Sequence, residues 1–275
     1  MKILVVFEGR VRPDSTGFYY LNAFRAMGHD VTHVYPSDLA TVKPEYDLYF
    51  RCDDGIESGW NKDLHPSVFQ AIDTHIDAEM RLRMATAGEF DLVCVAQKEG
   101  LKLPWTNKKV IWNPLGCEVD SHSVGPMEKK YDVAVIMNFH SQYAAERIDY
   151  VHDLMATVPN FFFGNRTYKD MATKFAESRI VFNKRLNKDL NMRDFEAMCS
   201  GSVLLTDRQE DMEELGFVDG VHYVGYSSKD EMKIRAVKLL NDPWTREQIA
   251  GAGQLEVIAR HQYRHRAERI LQEIK

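Results

Sequence analysis

The sequence predicts an α/β protein of two halves in tandem. Three observations carry this: short apolar runs rich in β-branched residues alternate with amphipathic stretches, the alternation lapses over residues 117–131, and it then restarts. At 275 residues and 44% hydrophobic side chains, the chain can bury one large core or two modest ones.

The first apolar run, Ile3, Leu4, Val5, Val6 and Phe7, reads as a parallel strand buried on both faces. Glu8 and Arg10 cut it short of the apolar centre of a signal peptide. Phe18, Leu21, Phe24 and Met27 then recur at helical spacing, Gly28 stops that helix, and residues 31–35 supply the next strand of a βαβ unit. Strand patterns at 46–50, 68–72, 91–96 and 109–112, with a helical segment at 77–86, extend an open sheet. Residues 117–131 carry Ser, Gly, Pro and mixed charge without periodicity and read as a linker. The expected domains are therefore 1–120 and 131–275.

In the second half, 132–137 is a buried strand, 144–155 an amphipathic helix, and 160–163 and 179–182 are strands. Residues 193–199 form a short helix stopped by Ser200-Gly201, 203–206 and 222–224 are short strands, and the chain ends in helices. The run Phe161-Phe162-Phe163 reads as core, and Glu210, Asp211, Glu213 and Glu214 as a solvated helix face. Two such Rossmann-like halves put a cleft between them, where strand ends and helix N-termini face one ligand.

Several function classes recede on composition and motif. No apolar run approaches the roughly 20 residues of a membrane span. Cys52, Cys94, Cys117 and Cys199 are scattered, form no CxxC pair and fit a reducing cytoplasm. A net charge of −6 argues against broad attraction to nucleic acid or anionic membrane, though it leaves room for a local basic pocket. Gly9 lacks a GxGxxG context, which weakens the case for a dehydrogenase. His261 and His265 stand four apart, but Arg260, Arg264 and Arg266 crowd them with positive charge; with no Asp-x-Asp present, no metal is expected.

The chemistry concentrates in residues 183–201, which join a buried strand to a short helix. Such a junction offers backbone N–H groups and the positive end of a helix dipole, and Lys184, Lys188 and Arg193 add charge suited to a diphosphate. Glu196, one turn beyond Arg193 and on the same face, can accept hydrogen bonds from ribose hydroxyls. The same two residues also fit an ordinary ion pair on a capped helix. Glu8, Gly9 and Arg10 follow the first strand and either contact a ligand or form a solvated loop.

The segment Asp189-Leu190-Asn191-Met192-Arg193-Asp194-Phe195-Glu196-Ala197, with Gly201 and Leu204-Leu205-Thr206-Asp207, resembles the donor-site segment of the CgeB-like glycosyltransferases. The resemblance extends to Asp73-Thr74-His75, Ala96-Gln97-Lys98-Glu99-Gly100, Trp112-Asn113-Pro114-Leu115-Gly116, the strand at Asp132 followed by Arg147, and Arg264-Ala267-Glu268-Arg269-Ile270-Leu271. It runs from about residue 70 onward, the first 70 residues matching only in pattern.

That group is similar to the GT-B glycosyltransferases, and the resemblance implies their fold, with a C-terminal helix packing back on the N-terminal domain. It implies transfer from a nucleoside-diphosphate sugar, foremost a UDP-sugar, to an acceptor hydroxyl on a glycan, protein, small molecule or, against the acidic charge, nucleic acid. Glu196 would hold ribose; Arg193 and the backbone of Asp189, Leu190, Asn191 and Met192 would meet the phosphates, with Arg147 and Lys184 as further diphosphate candidates and Asn187 also in the donor site; and the loop of Gly164, Asn165, Arg166, Thr167 and Tyr168 would read the base. His75, taken to close a strand-like segment with Asp73, would face the transferred sugar, with Glu8 as a third catalytic candidate. One departure concerns stereochemistry: many retaining GT-B enzymes carry a glutamate eight positions before the ribose-binding one, where this chain has Lys188. A nucleotide-sugar epimerase and a non-catalytic nucleotide-sugar-binding protein remain alternative readings.

Overall fold

The computed structural model describes residues 1–11, 15–137, 144–164, 168–186 and 189–274. The chain divides into two compact units, Met1–Leu115 with Tyr263–Lys275, and Gly116–Gln262. The division falls at Leu115, and the last helix belongs to the first unit rather than to a domain spanning 131–275.

Among the described residues, six parallel strands form the first unit's sheet: β1 (Lys2–Val6), β2 (Asp30–Val34), β3 (Leu48–Cys52), β4 (Ser67–Ala71), β5 (Leu92–Val95) and β6 (Val110–Trp112), in the order β2-β1-β3-β4-β5-β6. Ile3, Leu4, Val5 and Val6 are all inaccessible to solvent, as a strand covered on both faces requires. Helices α1 (Thr16–Ala26) and α2 (Ala78–Gly88) connect successive strands. The C-terminal helix α10 (Tyr263–Glu273) lies against α1, with the Tyr263 ring stacked on Tyr19 at 5.0 Å. Arg266 adds a bond from Nε to the Leu115 carbonyl at 3.2 Å.

The second unit's sheet is also parallel and runs β11-β10-β9-β7-β8, from β7 (Tyr131–Ile136), β8 (Phe161–Gly164), β9 (Ser178–Asn183), β10 (Val203–Asp207) and β11 (Val224–Tyr226). Around it lie α3 (Val119–His122), α4 (Ala144–Thr157), α5 (Tyr168–Ala176), α6 (Met192–Cys199), α7 (Glu210–Glu214), α8 (Lys229–Asn241) and α9 (Pro243–Arg260). Its core runs from Val133 and Val135 through Ile180, Phe182 and Leu205 to Ile249.

Four expectations need correction. The linker contains a helix, α3, too short to show periodicity. Helix α5 begins where the sequence suggested only a base-reading loop. The last strand begins at Val224, leaving His222 before it. The triple phenylalanine is core only in part: Phe161 packs against the core, but β8 lies at the sheet edge, pairing among the described residues with β7 alone, and there Phe163 is 50% exposed.

Candidate functional site

In the second unit, β9 ends at Asn183 and α6 begins at Met192. Asn191 caps the helix by accepting the Arg193 N–H at 3.0 Å, while Asp194 accepts the Asn191 N–H at 3.2 Å, completing a capping box. Asp194 is fully buried against Arg185, whose Nε and Nη2 donate to its two oxygens at 3.0 Å each; Asn183 Nδ2 adds a third bond at 3.0 Å. The Arg185 N–H continues to Asp207 at 3.0 Å. The cap thus occupies two amides of this junction, those of Asn191 and Arg193. An anion here can also draw on the helix dipole and the nearby side chains.

Those side chains are gathered but already engaged. Arg193 Nη1 donates to Glu196 Oε2 at 2.8 Å and also meets the Met171 sulfur, and its guanidinium lies 5.5 Å from the Phe175 ring centre. Glu196 is only 2% exposed. On α4, buried Arg147 donates from Nε to the Lys184 carbonyl at 2.8 Å. Burial lowers the Arg147 pKa from its ordinary value, opposed by Asp189 and reinforced by the positive charge of Arg193. Lys184 Nζ lies 3.1 Å from Glu146 and 3.5 Å from Asp207. Each of Lys184 and Arg193 faces a carboxylate, so a diphosphate would exchange one anion for another rather than fill an empty cationic pocket. Glu146, 65% exposed at its side chain, is free to swing away from Lys184.

Of the remaining donor candidates, Gly164 ends β8 and Met192 opens α6. Asn165, Arg166, Asn187 and Lys188 lie outside the described residues. Sequence reasoning passed over Arg185 and Asp194. The Asn191-x-x-Asp194 spacing of a capping box was the signal for the second.

In the first unit, Glu8 and Asp73 share the wall of a cavity of about 210 Å³ with Thr16, Asp53 and Arg81. It sits past the carboxyl ends of β1, β3 and β4, where ligands bind in open α/β sheets. The Arg10 side chain, together with the Arg10 backbone N–H, lowers the Glu8 pKa to about 2. Glu8 is therefore a poor proton acceptor near neutral pH and is suited to hydrogen bonding instead. His75 does not close a strand: β4 ends at Ala71, and Thr74, His75 and Ile76 form a turn that Asp73 enters at φ 55°. The turn forms because the Ile76 and Asp77 N–H groups both donate back to the Asp73 carbonyl, at 2.9 and 3.2 Å.

Buried Asp53 holds this turn from outside. Its Oδ2 accepts the Ile72 N–H at 3.0 Å and Arg81 Nε at 2.7 Å, and its Oδ1 accepts the Gly55 N–H at 2.9 Å. The neighbouring Asp54 is likewise filled by Arg51 and the Glu8 N–H. These aspartates knit the loops together. Sequence reasoning missed both, though Asp53-Asp54-Gly55 at a strand end carries the same positional signal as Glu8.

Among the described residues, no group of three or more His, Cys, Asp or Glu side chains is placed to hold a metal ion. No helix among them is long and apolar enough to cross a membrane. The model of the glycosyl transferase-like family matches residues 132–272, more than half of the chain. No curated protein matches by sequence. Similar solved structures include HepE from Anabaena in complex with UDP and glucose, at TM-score 0.71 and 12% identity, covering 100% of this chain and 99% of that one. Sucrose-phosphate synthase from Thermosynechococcus elongatus gives 0.68 and 11%, covering 99% and 98%. T4 phage BGT in complex with its UDP-glucose substrate gives 0.65 and 13%, covering 100% and 99%. At these identities the likeness is one of fold, an α/β fold with two parallel sheets of the GT-B kind.

Proposed function

The chain belongs to the glycosyl transferase-like family, and from that premise we propose that it moves a sugar from a nucleoside-diphosphate donor, foremost a UDP-sugar, to an acceptor hydroxyl without a metal ion. The observation that carries the donor assignment is the gathering of Arg147, Lys184, Arg193 and Glu196 about the junction between β9 and α6. The UDP and UDP-glucose bound to HepE and to T4 phage BGT support a uridine nucleotide as the first to test. The motifs from Asp73 to Leu271 support the finer placement in the CgeB-like group. The buried thiols of Cys52, Cys94, Cys117 and Cys199 support a reducing, cytoplasmic setting.

In this reading Glu196 accepts hydrogen bonds from the ribose, while Arg193, Arg147 and Lys184 offset the charge growing on the departing diphosphate. Arg193 leaves Glu196 for phosphate as ribose hydroxyls take its place, so both partners stay satisfied. On the first unit, His75 in its turn serves as the group that meets sugar or acceptor, with Asp73 and Glu8 as hydrogen-bonding walls.

Calorimetry with UDP tests the donor site. Replacing Glu196 by Ala should cost about 1.5–3 kcal/mol of binding, and Arg193→Ala should lower turnover more than it lowers the melting temperature. Full transferase activity in both variants would sink the assignment. Turnover in the presence of EDTA should match turnover without it.

A further inference from the structure

Glu196 is buried, and Arg193 accounts for only one of its two oxygens. The other, Oε1, lies 3.4 Å from Nε2 of His122, a residue with no solvent exposure. His122 comes from α3, the four-residue helix inside the segment that sequence reasoning treated as a linker. Helix α3 packs on α5 and α6, which brings the imidazole onto the face of α6 that carries Glu196.

The protonation state of this imidazole follows from its other nitrogen. Nδ1 accepts the backbone N–H of Glu118 at 3.0 Å. An imidazolium has N–H on both nitrogens and can accept at neither, so this bond selects the neutral ring and leaves the proton on Nε2. The Nε2 proton of the neutral ring then stands beside the Glu196 carboxylate, with Nε2 3.4 Å from Oε1. It compensates a buried anion without cancelling its charge, which a ribose-binding carboxylate needs to retain.

We infer that His122 is a positioning residue for Glu196, fixing the carboxylate in the orientation that accepts the ribose hydroxyls of the donor. The inference rests on the donor site proposed above. Within it, Glu118 N–H, His122 and Glu196 form a relay of orientation: α3 sets the tautomer, the tautomer sets the carboxylate, and the carboxylate meets the nucleotide.

Three substitutions separate this role from a local one in α3, with UDP as the calorimetric probe and the melting temperature measured alongside. His122→Ala should weaken UDP binding about tenfold. His122→Gln places an amide N–H near the Nε2 position and should restore affinity to within about threefold. His122→Asn keeps an acceptor for the Glu118 N–H but is too short to reach Glu196, and should bind as poorly as the alanine variant. In a Glu196→Gln background, His122→Ala should have no further effect on affinity, because coupled residues are not additive.

Wild-type affinity in the alanine variant would overturn the inference, as would rescue by Asn but not by Gln, which would assign His122 to the integrity of α3. Equal losses in both backgrounds would overturn it too. If Glu196→Ala itself leaves UDP binding unchanged, the donor site is wrong and His122 falls with it. If Glu196→Ala weakens binding and His122→Ala does not, the donor site stands and only the role of His122 is lost.

Discussion

The two strand-to-helix junctions, β4 to α2 in the first unit and β9 to α6 in the second, solve the same problem with the same pair of residue types. Each is held by a buried Arg–Asp pair: Arg81 with Asp53 at 2.7 Å, and Arg185 with Asp194 at 3.0 Å. They differ in where the partners come from. In the second unit, the arginine and the aspartate lie nine residues apart in one continuous segment, and the aspartate also completes the capping box of α6. In the first unit, the partners are 28 residues apart, the aspartate after β3 and the arginine on α2, and the turn they brace includes Asp73 at positive φ. One junction is locally self-sufficient, whereas the other is braced from a neighbouring strand end and holds a residue in a conformation that costs energy.

The largest effect should come from the self-sufficient junction. Asp194→Ala leaves the Arg185 guanidinium buried without its partner, removes a cap and strips bonds from Asn183 and Asn191. It should cost about 3–5 kcal/mol in denaturant unfolding, with loss of UDP binding at temperatures where the protein remains folded. A cost below 1 kcal/mol would mean that the pair does not organise the junction.

Asp53→Ala should come next, at about 3 kcal/mol, since the Arg81 side chain it strands retains 6% exposure. The sharper contrast lies in function. Asp53 grips the Ile72 N–H ahead of Asp73 and His75, so its loss should lower turnover while UDP affinity stays within about twofold. Parallel losses of affinity in both aspartate variants would erase the distinction between the two junctions.

The same difference decides what could be read from the sequence. The alternating apolar runs located the strands of both sheets to within a few residues, because a strand buried on both faces leaves an unbroken signature over its own length. The β9-to-α6 junction proposed as the donor segment was legible as a strand-to-helix turn because its residues, from Lys184 to Glu196, are contiguous, although the capping-box spacing within it went unread. Arg81 and His122 were not, since each acts on a residue far along the chain and nothing local marks such a partner, while Asp53 carried only its position at a strand end. Helix α3 has four residues, shorter than the window in which helical periodicity can be seen. Phe163 misled because the pattern shows that a segment is extended and apolar, but not whether it lies at the sheet edge.

Lys129 marks a third way of burying a cation, and it should give the smallest effect. Its Nζ donates to the Ala176 carbonyl at 2.8 Å and to Ser202 Oγ at 3.0 Å, both neutral oxygens, where the two junction arginines have carboxylates. Burial, aided by the positive charges of Arg246 and Arg179, lowers its pKa from 10.5 to about 8. Below about pH 8 the lysine is charged in both folded and unfolded chains, and the folded state bears the full desolvation cost. Between about 8 and 10.5 the unfolded chain still holds the proton that the folded chain has released. The unfolded state then binds more protons, so this residue's contribution to stability rises with pH across that window. Lys129→Met removes the titration. Its melting temperature should equal or exceed that of the parent at pH 7, and the parent should gain on it by on the order of 2 °C between pH 8 and 10. Parallel curves would show that the two neutral oxygens compensate the ammonium as fully as Asp53 and Asp194 compensate their arginines.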